Sequence, residues 1–321
     1  MIVFAFGIVV VLIVGCAWFT NRLARAAERR LPPVGRFAEV PGARLHFLDR
    51  GEQRDGPTIV MLHGLAGQLH NFAYGLVDDL AGDTRVIAVD RPGSGYSVRT
   101  DGGVRSLFDQ ADAIEALCRQ LELGRVLLVG HSLGGALSLA FALRHPQRVA
   151  GLALIAPLTT FSGTMPAVFA RLRIRSDAMR RCFAAVLATP LLILNRDRIM
   201  PQIFGPESVP SDYPLRAGGL LSLRPSQFVA ASQDLGALPE VMPVIEGRYD
   251  ELLKAGAPPI SIIYGRDDRI LDPVLQGEGF AKRVPRTRLV MIDGGHMLPV
   301  TQPRVCAQFL RDAWRQTGAP N

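Results

Sequence analysis

The stretch RVLLVGHSLGGALSLAFALRHP, Arg125 to Pro146, constrains the fold more than any other part of the chain. Val126–Val129 reads as a short buried strand, and from Leu133 to Arg144 the pattern is helical. Between them lies Gly130-His131-Ser132-Leu133-Gly134-Gly135, too short for an ordinary loop. A strand can pass into a helix across so few residues only through a strained turn. The central residue then takes a positive φ, and glycines two before and two after it leave room for the backbone to cross itself. Gly130 and Gly134 supply that room, so Ser132 is the residue held in strain. Its hydroxyl would sit at a helix N-terminus, where the Leu133 N–H and the helix dipole stabilise a developing negative charge. A glycine-rich turn with Ser132 as a plain N-cap is the simpler reading. Ser138 repeats the spacing without the glycines and belongs to the helix interior.

A serine hydroxyl is a poor nucleophile unless a base takes its proton and an acid orients that base. The base is expected downstream, at a strand end. His296 fits: it follows the strand-like Leu289–Ile292 in the loop Asp293-Gly294-Gly295-His296-Met297. His46, His70 and His145 read as surface or structural histidines. For the acid, the strand Ile262-Ile263-Tyr264 runs into Gly265-Arg266-Asp267-Asp268-Arg269, where Asp267 and Asp268 are both candidates. The strand Thr58–Leu62 ends in His63-Gly64-Leu65-Ala66-Gly67. There the Leu65 N–H is the expected second oxyanion donor, with His63 bracing the loop. The rigid turn Asp90-Arg91-Pro92-Gly93-Ser94-Gly95-Tyr96-Ser97 is given structural roles for Asp90 and Arg91.

The chain has 321 residues, 48% of them hydrophobic, enough to bury a full core. Its net charge of +7 is carried by arginine, since Lys254 and Lys282 are the only lysines. No zinc-finger, RNP or helix-turn-helix signature accompanies it, so no nucleic-acid partner is expected. Cys16, Cys118, Cys182 and Cys306 are scattered, without C-x-x-C or histidines at ligand spacing; neither disulfides nor a metal site is indicated. Ile2–Phe19 carries no charge and as a helix would run about 27 Å, close to the thickness of a bilayer's hydrocarbon core. It lacks a basic segment before it and a good cleavage site after it, which favours an uncleaved anchor over a signal peptide. Ile13-Val14-Gly15-Cys16 resembles a lipoprotein acylation box, but the apolar run continues past the cysteine. Arg22, Arg25, Arg29 and Arg30 follow, a charge bias that places the body on the cytoplasmic side of a bacterial inner membrane.

Along the rest of the chain, short β-rich runs alternate with helical patterns, which predicts a mostly parallel sheet covered by helices on both faces. Eight strands are expected: Phe37–Val40, Leu45–Asp49, Thr58–Leu62, Arg85–Val89, Val126–Val129, Gly151–Ile155, Ile260–Tyr264 and Arg288–Ile292. The first two form a hairpin across Pro41-Gly42. From Pro157 to Pro243 strand signals stop, and this region reads as a helical cap inserted over the sheet. The expected divisions are an anchor at 1–20, a basic linker at 21–36, a core at 37–157, the cap at 158–243 and the rest of the core at 244–321. Within the cap, Phe169–Arg175 with Arg180 and Arg181 mixes basic and apolar residues as a lipid-facing surface would.

The set H-G-x-x-G at His63–Gly67, D-R-P-G-x-G-x-S at Asp90–Ser97, G-H-S-L-G-G at Gly130–Gly135, G-x-x-D at Gly265–Asp268 and G-G-H at Gly294–His296 resembles the α/β-hydrolase superfamily. The resemblance is to its capped serine esterase and lipase branch, and it extends from about Phe37 to the C-terminus. The G-x-x-D spacing of that family implies Asp268 as the acid, completing a triad with Ser132 and His296 at a nucleophile elbow of Gly130, His131 and Gly134. It implies a hydrolase that needs no cofactor. Ser132 excludes the aspartate-nucleophile chemistry of dehalogenase and epoxide-hydrolase relatives. The expected activity is cleavage of lipid-like esters through an acyl-enzyme. The alternatives are a C–C bond hydrolase of the meta-cleavage-product type and a catalytically silent, membrane-tethered binding protein. The sequence leaves the oligomeric state open.

Overall fold

The computed structural model describes residues 2–100, 104–163 and 166–318. It opens with one long helix, α1 (Ile2–Arg30). The helix runs past residue 20, where a linker was expected, because Asn21–Arg30 consists mainly of good helix formers; Pro32 and Pro33 end it. By length and composition α1 could cross a membrane or be a signal sequence. Its described side chains are exposed as far as Gly15. From Cys16 it lies against the body along Thr20, Ala24 and Ala27, a stripe of small residues at helical spacing. Glu28 pairs with Arg224 at 3.0 Å, and the Tyr96 hydroxyl donates to the Leu31 carbonyl.

The sheet is built from β1 (Arg36–Val40), β2 (Ala43–Arg50), β3 (Thr58–Leu62), β4 (Val86–Val89), β5 (Val98–Arg99), β6 (Val126–His131), β7 (Val149–Ile155), β8 (Ile260–Gly265) and β9 (Thr287–Ile292). Its order is β1-β2-β4-β3-β6-β7-β8-β9, with β5 pairing β2. From β4 onward the strands are parallel, while β1 and β2 form the expected hairpin, with Gly42 at φ 76°. The ninth strand, β5, departs from the expected eight: at two residues it carries no period of its own.

Alternate residues of each central strand face two different cores. In β3, Val60 and Leu62 pack into one and Ile59 and Met61 into the other. The short helices α2 (His70–Ala73) and α3 (Val77–Leu80) follow β3. The first core is closed by α4 (Leu107–Gln120), whose N-terminus is a capping box of Ser106 and Asp109, and by α5 (Leu133–Arg144). Between β7 and β8 the described chain is helical: α6 (Asp177–Phe183), a π-turn (Ala184–Ala188) and α7 (Thr189–Leu194) continue as one helix, followed by α8 (Arg196–Phe204), α9 (Tyr213–Arg216), a 3-10 turn (Gly219–Leu223) and α10 (Pro225–Gly247). Helix α10 passes straight through Pro239 and Pro243. Leu235, Leu238, Val241, Met242 and Ile245 bury one side of it in the first core, which holds it together where two backbone donors are missing. The chain ends with α11 (Gly279–Arg283), α12 (Leu298–Thr301) and α13 (Pro303–Arg315); α13 closes the second core through Phe309 and Leu310.

Strands β3 and β6 are neighbours, but their chains leave in opposite directions along the sheet, β3 toward β4 and β6 toward β7. The loops beyond their carboxyl ends therefore diverge and open a crevice. The helical insertion covers that crevice.

Candidate active site

Ser132 stands at the end of β6 with φ 53° and ψ −119°, outside the regions an L-residue adopts readily. The strain is held from all sides. Ser132 N–H donates to the Ile155 carbonyl at 3.1 Å, and the Ser132 carbonyl accepts from Gly135 N and Leu158 N at 2.8 and 2.9 Å. A Cβ on Gly134 would collide with the Leu62 carbonyl, and one on Gly130 with Gly134 backbone and Ser138 Oγ. Both glycines are thus fixed by the crossing of chain segments.

The serine hydroxyl meets His296: Ser132 Oγ lies 3.0 Å from His296 Nε2. The other ring nitrogen, Nδ1, lies 2.7 Å from Asp268 Oδ2. The second Asp268 oxygen accepts from Ile270 N and Leu271 N at 2.8 and 3.0 Å, which fixes the carboxylate plane. Asp267, the other candidate in that turn, is exposed, and it is Asp268 that bonds His296. The residues come from three loops, after β6, β8 and β9.

The surroundings hold His296 by its backbone as well. His131 Nε2 lies 2.9 Å from the His296 carbonyl. Burial, then the neighbouring His296, pushes the His131 imidazole down to about 3, so it is neutral at ordinary pH and its Nε2–H is the donor. Glu207, from the insertion, accepts from Gly295 N at 2.9 Å and from Gln302 Nε2 at 3.2 Å, pinning the loop from the other side.

The loop after β3 reaches the same cavity. Leu65, Leu133, Ser132 and His296 all line it. Leu133 is the first residue of α5, where an N–H has no acceptor within the helix. The loop turns tightly, with Ala66 at φ 55° and Gly67 N donating to Gly64 O. His63 is fully buried and pushed down to about 3, by burial first and by the Arg91 charge second. As a neutral ring it accepts from Arg91 N at Nε2 and donates from Nδ1 to the Gly64 carbonyl, both at 2.9 Å.

Arg91 is fully buried and spans from this loop to the insertion. It donates to the His63 and Gly64 carbonyls at 2.9 and 3.1 Å, to Gln110 at 2.9 Å and to Asp234 of α10 at 2.7 Å. Asp234 also pairs with Arg99 and accepts from Gln110. Burial pushes the Asp234 carboxyl up, but the two guanidinium charges outweigh it and hold it below the usual carboxylate range. Asp90 accepts from His46, Leu69 N and Tyr96 N, so its role is to tie β2, the β3 loop and its own turn together. Asp234, Gln110 and Glu207 carry no sequence motif and were not among the residues the sequence singled out.

The cavity above Ser132 has a volume of about 860 Å³. Its wall is mainly apolar, from Leu158, Phe161, Phe169, Leu191 and Phe228, with Arg171 and Arg196 among its polar residues. Arg180, grouped from sequence with a lipid-facing surface, is instead buried, pairing with Asp177 and donating to Ser232 Oγ and the Ile174 carbonyl. Its position on the inner side of α6, facing α10, explains the difference. Among the described residues there is no cluster of histidine, cysteine and carboxylate side chains able to hold a metal.

A parallel sheet with a helical insertion over its switch point, and a serine, histidine and aspartate brought together from the ends of three strands, define the class as an α/β-fold hydrolase. The chain belongs to the alpha/beta hydrolase fold family, whose sequence profile matches residues 57–303. It is 30% identical to a magnesium-chelatase 30 kDa subunit from Rhodobacter capsulatus over 85% of this chain and 88% of that protein. Among solved structures it is similar to a thermophilic esterase from Thermogutta terrifontis, with 26% identity, a TM-score of 0.65, and 88% and 97% of the two chains covered. A membrane phospholipase A described as a bacterial virulence factor shares its fold, at 21% identity and a TM-score of 0.67 over 99% of both chains.

Proposed function

We propose that the protein is a membrane-anchored serine hydrolase that cleaves carboxylic esters of lipid-like substrates. The observation that carries this reading is the hydrogen-bonded series Ser132, His296 and Asp268 on the floor of a large apolar cavity. Ser132 Oγ attacks the ester carbonyl carbon while its proton passes to His296 Nε2, and Asp268 stabilises the imidazolium without taking the proton. The carbonyl oxygen gains negative charge and is met by the Leu65 and Leu133 N–H groups. His296 then returns the proton to the departing alkoxide, leaving an acyl group on Ser132. A water that loses its proton to His296 attacks this ester, and the proton passes back to Ser132 as the acid leaves.

In this reading residues 158–243 are the substrate-covering cap, residues 37–157 and 244–321 the core, and α1 the anchor. The arginines after Phe19 favour a body on the cytoplasmic side of a bacterial inner membrane. Esters of long acyl chains match the apolar wall, and the similarity to an esterase at 26% identity agrees with ester chemistry. A second reading, a subunit of a magnesium chelatase, is favoured by the 30% identity to the Rhodobacter protein.

Two measurements on the full chain separate these. A fluorophosphonate probe should label the protein and fail to label Ser132→Ala. A panel of esters graded in acyl length and head group, presented in vesicles, should be turned over by the unmodified protein alone. Absence of both labelling and turnover would remove the hydrolase reading and leave the subunit or a silent binding protein. Labelling with preference for short water-soluble esters would keep the esterase and remove the lipid substrate.

A further inference from the structure

We propose that the outer face of Phe183–Leu194, the uncharged part of the continuous helix Asp177–Leu194, lies in the lipid bilayer beside α1, and that the ester substrate enters the cavity from the bilayer past α7. This rests on the reading of α1 as a membrane span and of the Ser132 cavity as an ester site.

The described side chains of α1 stand clear of the body as far as Gly15, and Ile2–Gly15 at 1.5 Å per residue measures about 21 Å, against about 30 Å for a hydrocarbon core. The apolar run continues to Phe19 and reaches about 27 Å. Its last residues, however, are those at which α1 starts to pack on the body, with Cys16 and Ala17 half-buried and Thr20 buried. Trp18 and Phe19 remain exposed, and Arg22 stacks over the Trp18 ring at 5.4 Å. An exposed Trp followed by arginines is the pattern of a membrane–water boundary. Seating the whole apolar run in the bilayer therefore submerges the part of the body that touches it.

That part is made of the π-turn Ala184–Ala188, α7 and the 3-10 turn Gly219–Leu223, the elements against which α1 packs. Phe183–Leu194 contains no charged residue. Leu194 is 79% exposed, Leu187 43% and Ile193 42%, an arrangement a water-facing helix does not need and a lipid-facing one does. Exposed Arg173, Arg175, Arg181, Arg196 and Arg198 flank this apolar face, against Asp177, which pairs with Arg180, and Asp197. An apolar strip bordered by arginine is the composition of a helix lying 5–10 Å into a bilayer with anionic head groups. The required depth agrees with the shortfall of about 9 Å between the free part of α1 and the hydrocarbon core.

The same helix lines the reaction cavity through Phe183, Ala188, Leu191 and Leu192, and Ile193 stands on the edge shared by the cavity and the outer face. One wall thus separates bilayer from cavity, and an acyl chain passing it need never cross water.

The test uses the full chain with Cys16 and Cys182 replaced by serine, carrying a single fluorophore through Val11→Cys, Leu187→Cys or Leu194→Cys. Each is reconstituted in phosphatidylcholine–phosphatidylglycerol vesicles with brominated acyl chains. Quenching at all three positions is expected. Quenching at 11 but not at 187 or 194 overturns the proposal and leaves the anchor standing, while no quenching at 11 removes the anchor and the proposal together. In parallel, the double substitution Leu187→Glu and Leu194→Glu should lower turnover of a vesicle-embedded ester at least tenfold and leave that of a short soluble ester unchanged. An equal loss on both substrates, or none on either, contradicts entry from the bilayer.

Discussion

Arg91 at the end of β4 and Asp234 in the middle of α10 are both fully buried and 2.7 Å apart, joining the sheet to the helical insertion. The same guanidinium holds the His63 and Gly64 carbonyls, so the loop that carries Leu65 is tied through one side chain to the element that covers the cavity. Removing the carboxylate leaves the buried Arg91 and the half-buried Arg99 as like charges without the group that pairs them. Asp234→Ala is expected to cost about 3–5 kcal/mol in unfolding free energy, and to lower kcat more than KM because the loop proposed to present the Leu65 N–H is released. Urea unfolding and steady-state kinetics measure the two effects; an unchanged unfolding midpoint would contradict the structural role.

Asp268 and Asp267 are adjacent in sequence and opposite in environment, one holding His296 and the other exposed. Asp268→Asn should reduce kcat by roughly 10³–10⁴-fold, since the amide no longer fixes the tautomer of His296. Asp267→Asn should leave turnover nearly unchanged. Comparable losses in both variants would show that the aspartate has been misassigned.

Ser132 is strained by its backbone conformation, a cost of about 1–3 kcal/mol. Glycine accepts that conformation and alanine does not. Both substitutions remove the proposed nucleophile, but Ser132→Gly should unfold at a higher temperature than Ser132→Ala. Calorimetry on the two inactive variants decides it, and equal melting temperatures would mean that the strain is absent in solution.

His63 and His131 are held neutral by burial, with values near 3 against 6.5 in an unfolded chain. Below pH 6.5 the unfolded chain gains protons that the native one refuses. Their contribution is therefore complete above pH 6.5 and falls as the pH drops toward 3, by at most about 1.4 kcal/mol per pH unit for each ring. Asp234, depressed instead, contributes above its unfolded value of 3.8 and is lost only at still lower pH. Denaturant midpoints at pH 7.5, 6 and 5 should decline in step; a flat profile over that range would exclude neutral, buried rings.

Features that depend on neighbours along the chain were legible in the residues alone. The alternation of strand and helix, the turn at Gly130–Gly135, the hairpin at Pro41-Gly42 and the apolar length of Ile2–Phe19 all follow from steric and periodic rules within a few residues. Taken residue by residue the turn left Asp267 and Asp268 undivided, and Asp268 was chosen only through the family resemblance; the physical reason for it is the position of His296, 28 residues away. The residues gave no sign of Asp234, whose partner Arg91 is 143 residues away, nor of Glu207, 88 residues from the glycine it holds. A buried polar side chain is defined by the groups that replace water around it, and those arrive from distant segments only when the core closes. Which charges became a clamp, and which face of the insertion was left turned outward beside α1, followed only from the closed fold.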